Sequence, residues 1–367
     1  MTQIAAWEEH GTRYLMGDVL VTRMGLFNFE GDHVPIPTAE DASAALPKKY
    51  GIQITDLSQK IYIISDNVAV GWAISRAIAA EVISDLFNAF EGKAPSVAEV
   101  KAFLCGREKT EEDTCLLIGW IVENSNASCF RWISQSPDEF TTGDQFVEGF
   151  GKDFFNEIVK PTGESGGDPL INSALGKLAN LLSYEMLEGK NLQWQFGGAY
   201  QLIYYADGGF RHLTSATFVT FTATEQENGE VQFGFVSRIL KFQFEDGILK
   251  MMAVSKSANG NVSSRMYYAY AIHTGKPQPP PAPDGLSLIS DYHAILVDIR
   301  FRDGVRGELA TTYARDIPNP PLQITRTPEA LETVDISNRF LARVIKLIKD
   351  RNPDKSAFPT RDWLTKQ

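Results

Sequence analysis

Met1-Thr2-Gln3-Ile4-Ala5-Ala6-Trp7-Glu8-Glu9-His10-Gly11-Thr12-Arg13-Tyr14-Leu15-Met16-Gly17-Asp18 is the stretch that decides the fold. Residues 3–7 read as an apolar strand. His10-Gly11 is a turn, and 13–16 form the return strand that ends at Gly17-Asp18. Thr2 stands next to Met1. A small second residue is the usual condition for removal of Met1, which leaves Thr2 with a free α-amine. Such a threonine carries nucleophile and base in one residue: its hydroxyl attacks an acyl carbon while its amine, with an ordinary pKa near ~8, takes the proton. Taken alone, a threonine at position 2 and a Gly-Asp turn at the end of a hairpin are also ordinary features of a protein with no such chemistry.

The composition sets the outer limits. With 367 residues and 43% hydrophobic content, the chain can build a sizeable core and two domains. A net charge of −11 argues against nucleic-acid partners and against an anionic membrane surface. Cys105, Cys115 and Cys129 are odd in number and form no C-x-x-C pair, so neither a disulfide framework nor a zinc site is expected. With no signal peptide and no apolar run of the ~20 residues a membrane span needs, the expected location is cytoplasmic.

Outward from the first hairpin, residues 25–51 hold Pro35, Pro37 and Lys48-Lys49 and read as a surface insertion. Lys60 to Ser65 and Val68 to Trp72 read as a second hairpin turning at Asp66-Asn67. Ile74, Ala77, Ile78, Val82, Leu86 and Phe90 then recur at helical spacing. Ser96 and Glu99 form a capping box that opens a second helix. Residues 115–122 are a fully buried strand, and Cys129 to Ser134 return. Phe146 to Gly151 run as a strand into a helix at 152–160. The glycine-rich loop Gly163 to Gly167 lacks the lysine of a phosphate cradle. Leu170, Ala174, Leu178, Leu181, Leu182 and Met186 mark another helix. From 192 to 272 the pattern becomes an antiparallel meander, with strands at 199–205, 210–222, 231–244, 248–255 and 265–272. Pro277 to Pro283 read as a stiff linker. Strands near 293–301 and 307–314 and a helix near 337–350 follow. The five histidines are scattered, and no metal site is expected.

This order of hairpins and helices resembles the N-terminal-nucleophile (Ntn) hydrolases of the proteasome type, above all bacterial HslV-like threonine peptidases. The matching residues are Thr2, Gly11, Gly17 and Asp18 in the opening hairpin, Lys60 in Leu57-Ser58-Gln59-Lys60-Ile61, and Gly71-Trp72-Ala73-Ile74-Ser75 ahead of the first helix. The likeness covers roughly residues 2–205. It implies an α+β fold, a four-layer αββα sandwich of the proteasome-subunit kind with an extra C-terminal β-rich and helical extension. The expected domains are 1–275, with the insertion 25–51 and extended strands at 206–275, then the linker 276–284 and an α/β appendage at 285–367.

The resemblance also implies roles. Thr2 Oγ attacks the scissile carbonyl, Lys60 lowers the pKa of its hydroxyl and amine, and Asp18 orients and balances Lys60. Backbone N–H groups near Ile74 and Ser75 supply the oxyanion hole, each such donor being worth ~3 kcal/mol. The sequence departs from the family pattern at Phe150, Gln193 and Phe196, where polar support for the amine is expected. The expected function is therefore intracellular amide-bond (peptide) hydrolysis by Thr2 after Met1 removal. The alternatives are a catalytically silent proteasome-like scaffold and a small-amide amidohydrolase. No cofactor is expected. The expected partners are a peptide or small amide substrate and further copies of the chain in a homo-oligomer, with a ring as the family precedent. Any ATP-driven unfolding has to come from a separate unfoldase, since the chain has no nucleotide-binding motif.

Overall fold

The computed structural model describes residues 3–24, 34–39, 52–149, 152–153, 156, 174–188, 190–193, 195–256, 261–273, 286–326 and 332–351. The chain opens with the hairpin β1 (Gln3–Glu9) and β2 (Thr12–Asp18), followed by a two-stranded ribbon, β3 (Leu20–Met24) with β4 (Ile52–Leu57). Next come β5 (Ile61–Ser65), β6 (Val68–Ile74), the helices α1 (Arg76–Phe90) and α2 (Val97–Cys105), then β7 (Cys115–Glu123), β8 (Asn126–Ile133), β9 (Thr141–Gly143) and β10 (Phe146–Gly149). Helices α3 (Gly176–Glu188) and α4 (Lys190–Gln193) lead to β11 (Tyr200–Ala206), β12 (Gly209–His212), β13 (Ser215–Glu225), β14 (Val231–Glu245), β15 (Ile248–Lys256) and β16 (Val262–Ala269). The chain closes with β17 (Tyr292–Arg300), β18 (Arg306–Ala314), β19 (Leu322–Arg326), β20 (Glu332–Ile336) and α5 (Asn338–Lys349).

Three larger sheets result. Their strand orders are β10-β1-β2-β11-β12, β5-β6-β7-β8-β9 and β16-β15-β14-β13-β17-β18. The opening hairpin is apolar on both faces because both faces are covered. Ile4, Ala6 and Leu15 pack with Ile61, Ala69 and Ile118 of the second sheet. Ala5, Trp7, Tyr14 and Met16 pack with α3 and with Phe218, Met251 and Leu296 of the third. Strand β7 shows the same pattern: Leu116, Ile118 and Trp120 face the first sheet, while Cys115, Leu117 and Ile121 face α1 and α2. Each fully buried Ile or Leu contributes about 1.5–3 kcal/mol. Helix α1 lays Ala79, Val82, Ile83 and Leu86 against this second sheet. Helix α2 starts at the capping box read from the sequence, with Ser96 Oγ accepting from Glu99 N and the Glu99 carboxylate accepting from Ser96 N.

The four-layer αββα sandwich is not what this chain forms. Strands far outweigh helices, and the residues beyond 206 are no mere extension. They build the largest sheet, which shares one hydrophobic core with the opening hairpin and α3. The outer layer on that side is therefore sheet as well as helix. The run at 210–222 is two strands in two different sheets, β12 and β13. Strands on both sides of the proline-rich stretch also belong to a single sheet, because β17 pairs in parallel with β13 from Ala216↔Tyr292 to Thr224↔Arg300. Residues 274–285 themselves lie outside the described residues. Within the expected surface insertion, Ile36 and Thr38 are buried.

Candidate functional site

Asp18 and Lys60 lie within electrostatic reach of each other where the first two sheets face each other. Asp18 is the last residue of β2, and Lys60 immediately precedes β5. Both are fully buried. The pairing Ile4↔Gly17 puts Gly17 beside Lys60, and a Cβ there would lie 3.0 Å from Lys60 Cβ and 3.1 Å from Ile61 Cγ2. Glycine at 17 thus lets the lysine stem pass between the sheets.

Each group is held by several chain segments. Asp18 Oδ1 accepts from Gln3 N at 2.8 Å and Oδ2 from Gly197 N at 3.1 Å. Lys60 Nζ donates to Leu20 O at 2.8 Å and lies 4.6 Å from the centre of the Trp72 ring. Lys60 N donates to Gln201 Oε1 at 2.8 Å, and Lys60 O accepts from Trp72 N at 2.9 Å. Burial raises the Asp18 carboxyl above its ordinary range, while the Lys60 charge and the Gln3 and Gly197 amides pull it back. Burial likewise lowers Lys60 to about 8, with Asp18 opposing the shift. A lysine near 8 exchanges its proton close to neutral pH, which suits it to acid–base work.

Thr2 lies outside the described residues, as do Phe150 and Trp194. Its neighbour does not: the Gln3 nitrogen, covalently bonded to residue 2, is the one anchored on Asp18. The predicted oxyanion donors fare differently from each other. Ser75 N–H donates to Thr114 O at 2.9 Å and is thereby occupied. Ladder donors alternate sides along a strand, so Ile74 N–H faces the side on which Trp72 N meets Lys60 O. Ile74 has φ +81° and is 58% exposed, a costly backbone setting for a β-branched residue. Such settings cluster at functional sites.

Sequence reasoning missed the polar support behind Asp18. Gly197 N binds Asp18, and the next amide, Gly198 N, donates to Glu185 Oε1 at 2.6 Å. Both glycines have positive φ, and a Cβ on Gly197 would lie 2.3 Å from Glu185 Oε2. Glu185 also accepts from Tyr200 Oη at 3.0 Å and from Thr38 Oγ1. Burial pushes its carboxyl up to about 7. Asn191 Nδ2 donates to Tyr200 Oη at 2.6 Å. Phe196 is buried in the core, and the polar group beside Gly197 and Gly198 is Glu185 from α3. The Gly-Gly dipeptide was the signal that could have pointed there.

No protein-family model matches the sequence, and no curated protein matches it. Among the described residues, no group of three or more His, Cys, Asp or Glu could hold a metal ion, and no helix is long and apolar enough to cross a membrane.

Proposed function

We propose that the chain hydrolyses amide bonds through Thr2 after Met1 is removed, with peptides as the substrate class. The observation that carries this reading is the buried Asp18–Lys60 pair with Asp18 bonded to the Gln3 amide, one peptide unit from the nucleophile. Removing two charges from water costs several kcal/mol each, and the mutual attraction repays this only with good geometry and further hydrogen bonds. A pair built at that cost beside residue 2 supports a chemical use there.

In this reaction Thr2 Oγ attacks the carbonyl and gives its proton to the Thr2 amine. The C–N bond breaks as that proton passes to the leaving amine, and water then hydrolyses the Thr2 ester. The Lys60 charge favours the alkoxide and lowers the amine pKa, and Asp18 keeps Lys60 in place. Ile74 N–H donates to the developing oxyanion. The three free cysteines suit a reducing, cytoplasmic setting.

The test is incubation with a peptide epoxyketone, followed by peptide mass mapping and turnover of fluorogenic peptides. The reading expects an adduct on Thr2 and loss of adduct and turnover in Thr2→Ala. An unmodified Thr2, with no turnover in wild type or Thr2→Ala, overturns it in favour of a silent scaffold.

A further inference from the structure

A cavity lies where the three large sheets meet, and its chemistry owes nothing to Thr2. Two histidine–phenylalanine stacks flank it. His212 of β12 lies on Phe244 of β14 with ring centroids 3.6 Å apart. His273 lies on Phe87 of α1 at 4.5 Å, with the edge of Tyr62 at 5.3 Å. Together with Tyr270 these rings line a space of about 200 Å³. An apolar cavity of about 150 Å³ already holds benzene.

Two polar atoms mark the cavity as more than a packing gap. Tyr270 Oη and His273 Nδ1 are buried and have no hydrogen-bond partner among the described residues. A buried group left so costs about 1–3 kcal/mol. Unpartnered polar atoms on the lining of an aromatic-walled concavity suit a small-molecule site. Burial holds both histidines in the neutral form, pushing His212 down to about 3 and lowering His273. The charged group on the lining is Asp246, in the β14–β15 turn, so the site disfavours anions. The floor is rigid: Gln59 Nε2 donates to Gly247 O at 2.6 Å and to Ala269 O at 3.1 Å.

From this we infer that the cavity binds an uncharged planar heteroaromatic molecule of one or two rings, stacked among Tyr62, Phe87, His212 and Phe244 and hydrogen-bonded to Tyr270 Oη and His273 Nδ1. A flat ring fills the space between the stacks, and a donor and an acceptor ring nitrogen satisfy the two orphaned atoms.

The experiment is a calorimetric titration of the full chain with benzimidazole, which has both a donor and an acceptor nitrogen. Indole, with a donor only, is the comparator. Benzimidazole is expected to bind saturably with a sub-millimolar dissociation constant, and more tightly than indole. Tyr270→Phe removes an oxygen without changing the ring and is expected to weaken benzimidazole ~3- to 10-fold. Tyr268→Phe, two residues away, is expected to leave binding unchanged. Equal melting temperatures of the variants establish that each is folded. Absence of saturable binding to wild type, as for a cavity holding water alone, overturns the inference. So does benzimidazole binding that Tyr270→Phe leaves unaltered.

Discussion

The two ends of β1 each hold a buried carboxylate–lysine pair, and the two are built differently. At the Glu9 end, Lys177 Nζ from α3 sits 2.7 Å from Glu9 Oε2, with both side chains 2% exposed. Carboxylate and ammonium meet directly, tying a helix to a strand. At the Gln3 end, both Asp18 oxygens accept backbone amides from distant segments, and Lys60 Nζ rests on a backbone carbonyl. Burial lowers the Lys60 pKa to about 8. Burial of a charged pair does not by itself mark chemistry; the two differ in what the carboxylate oxygens hold, a lysine at Glu9 and two backbone amides at Asp18.

The largest effect should come from removing the lysines. Lys60→Met and Lys177→Met each strand a buried carboxylate, and each should cost about 3–5 kcal/mol in urea unfolding. Only Lys60→Met should abolish peptide turnover in the folded protein, by at least ~10²-fold. Equal losses of turnover in the two folded variants would break the comparison.

Glu185 should give the next effect, through pH. Its folded pKa is raised from 4.5 to about 7, so the folded state binds this proton more tightly than the unfolded chain. The resulting stability, about 3 kcal/mol, is fully present below pH ~4.5 and is lost as pH rises through about 7. Glu185→Gln, which mimics the protonated acid, should flatten that part of the stability–pH curve. A wild-type curve already flat between these values would contradict the burial argument.

Gly17→Ala should come third. Its Cβ would press on Lys60 and Ile61, costing about 1–3 kcal/mol and slowing turnover by moving the lysine. A stability loss with unchanged turnover would mean that the lysine position is not critical. The smallest effect serves as the control. Ser96→Ala loses the α2 cap, costs about 1 kcal/mol and leaves turnover untouched.

Much of the local structure was legible. The β1–β2 hairpin, the all-apolar β7 and the Ser96 capping box are set by alternation, continuous burial and local hydrogen bonding, which sequence displays directly. The positions of Asp18 and Lys60 at strand ends were legible for the same reason. Layering was not, because it depends on what covers each face. The parallel register of β13 and β17 joins residues some 75 apart across a proline-rich stretch, and it turned an expected appendage into part of the largest sheet. Glu185 was illegible too. In Ser183-Tyr184-Glu185 it looks like any surface helix glutamate, and only packing against Gly198, Tyr200 and Thr38 makes it a buried hub. At Ser75 the sequence suggested a free backbone donor, but Thr114 O, just ahead of β7, takes that donor.

The most direct test of the central claim is the N-terminal peptide mass of the purified protein after epoxyketone treatment. The account predicts a chain beginning at Thr2, with the adduct on its amine and hydroxyl. A chain that retains Met1 in protein that turns over peptides would contradict it.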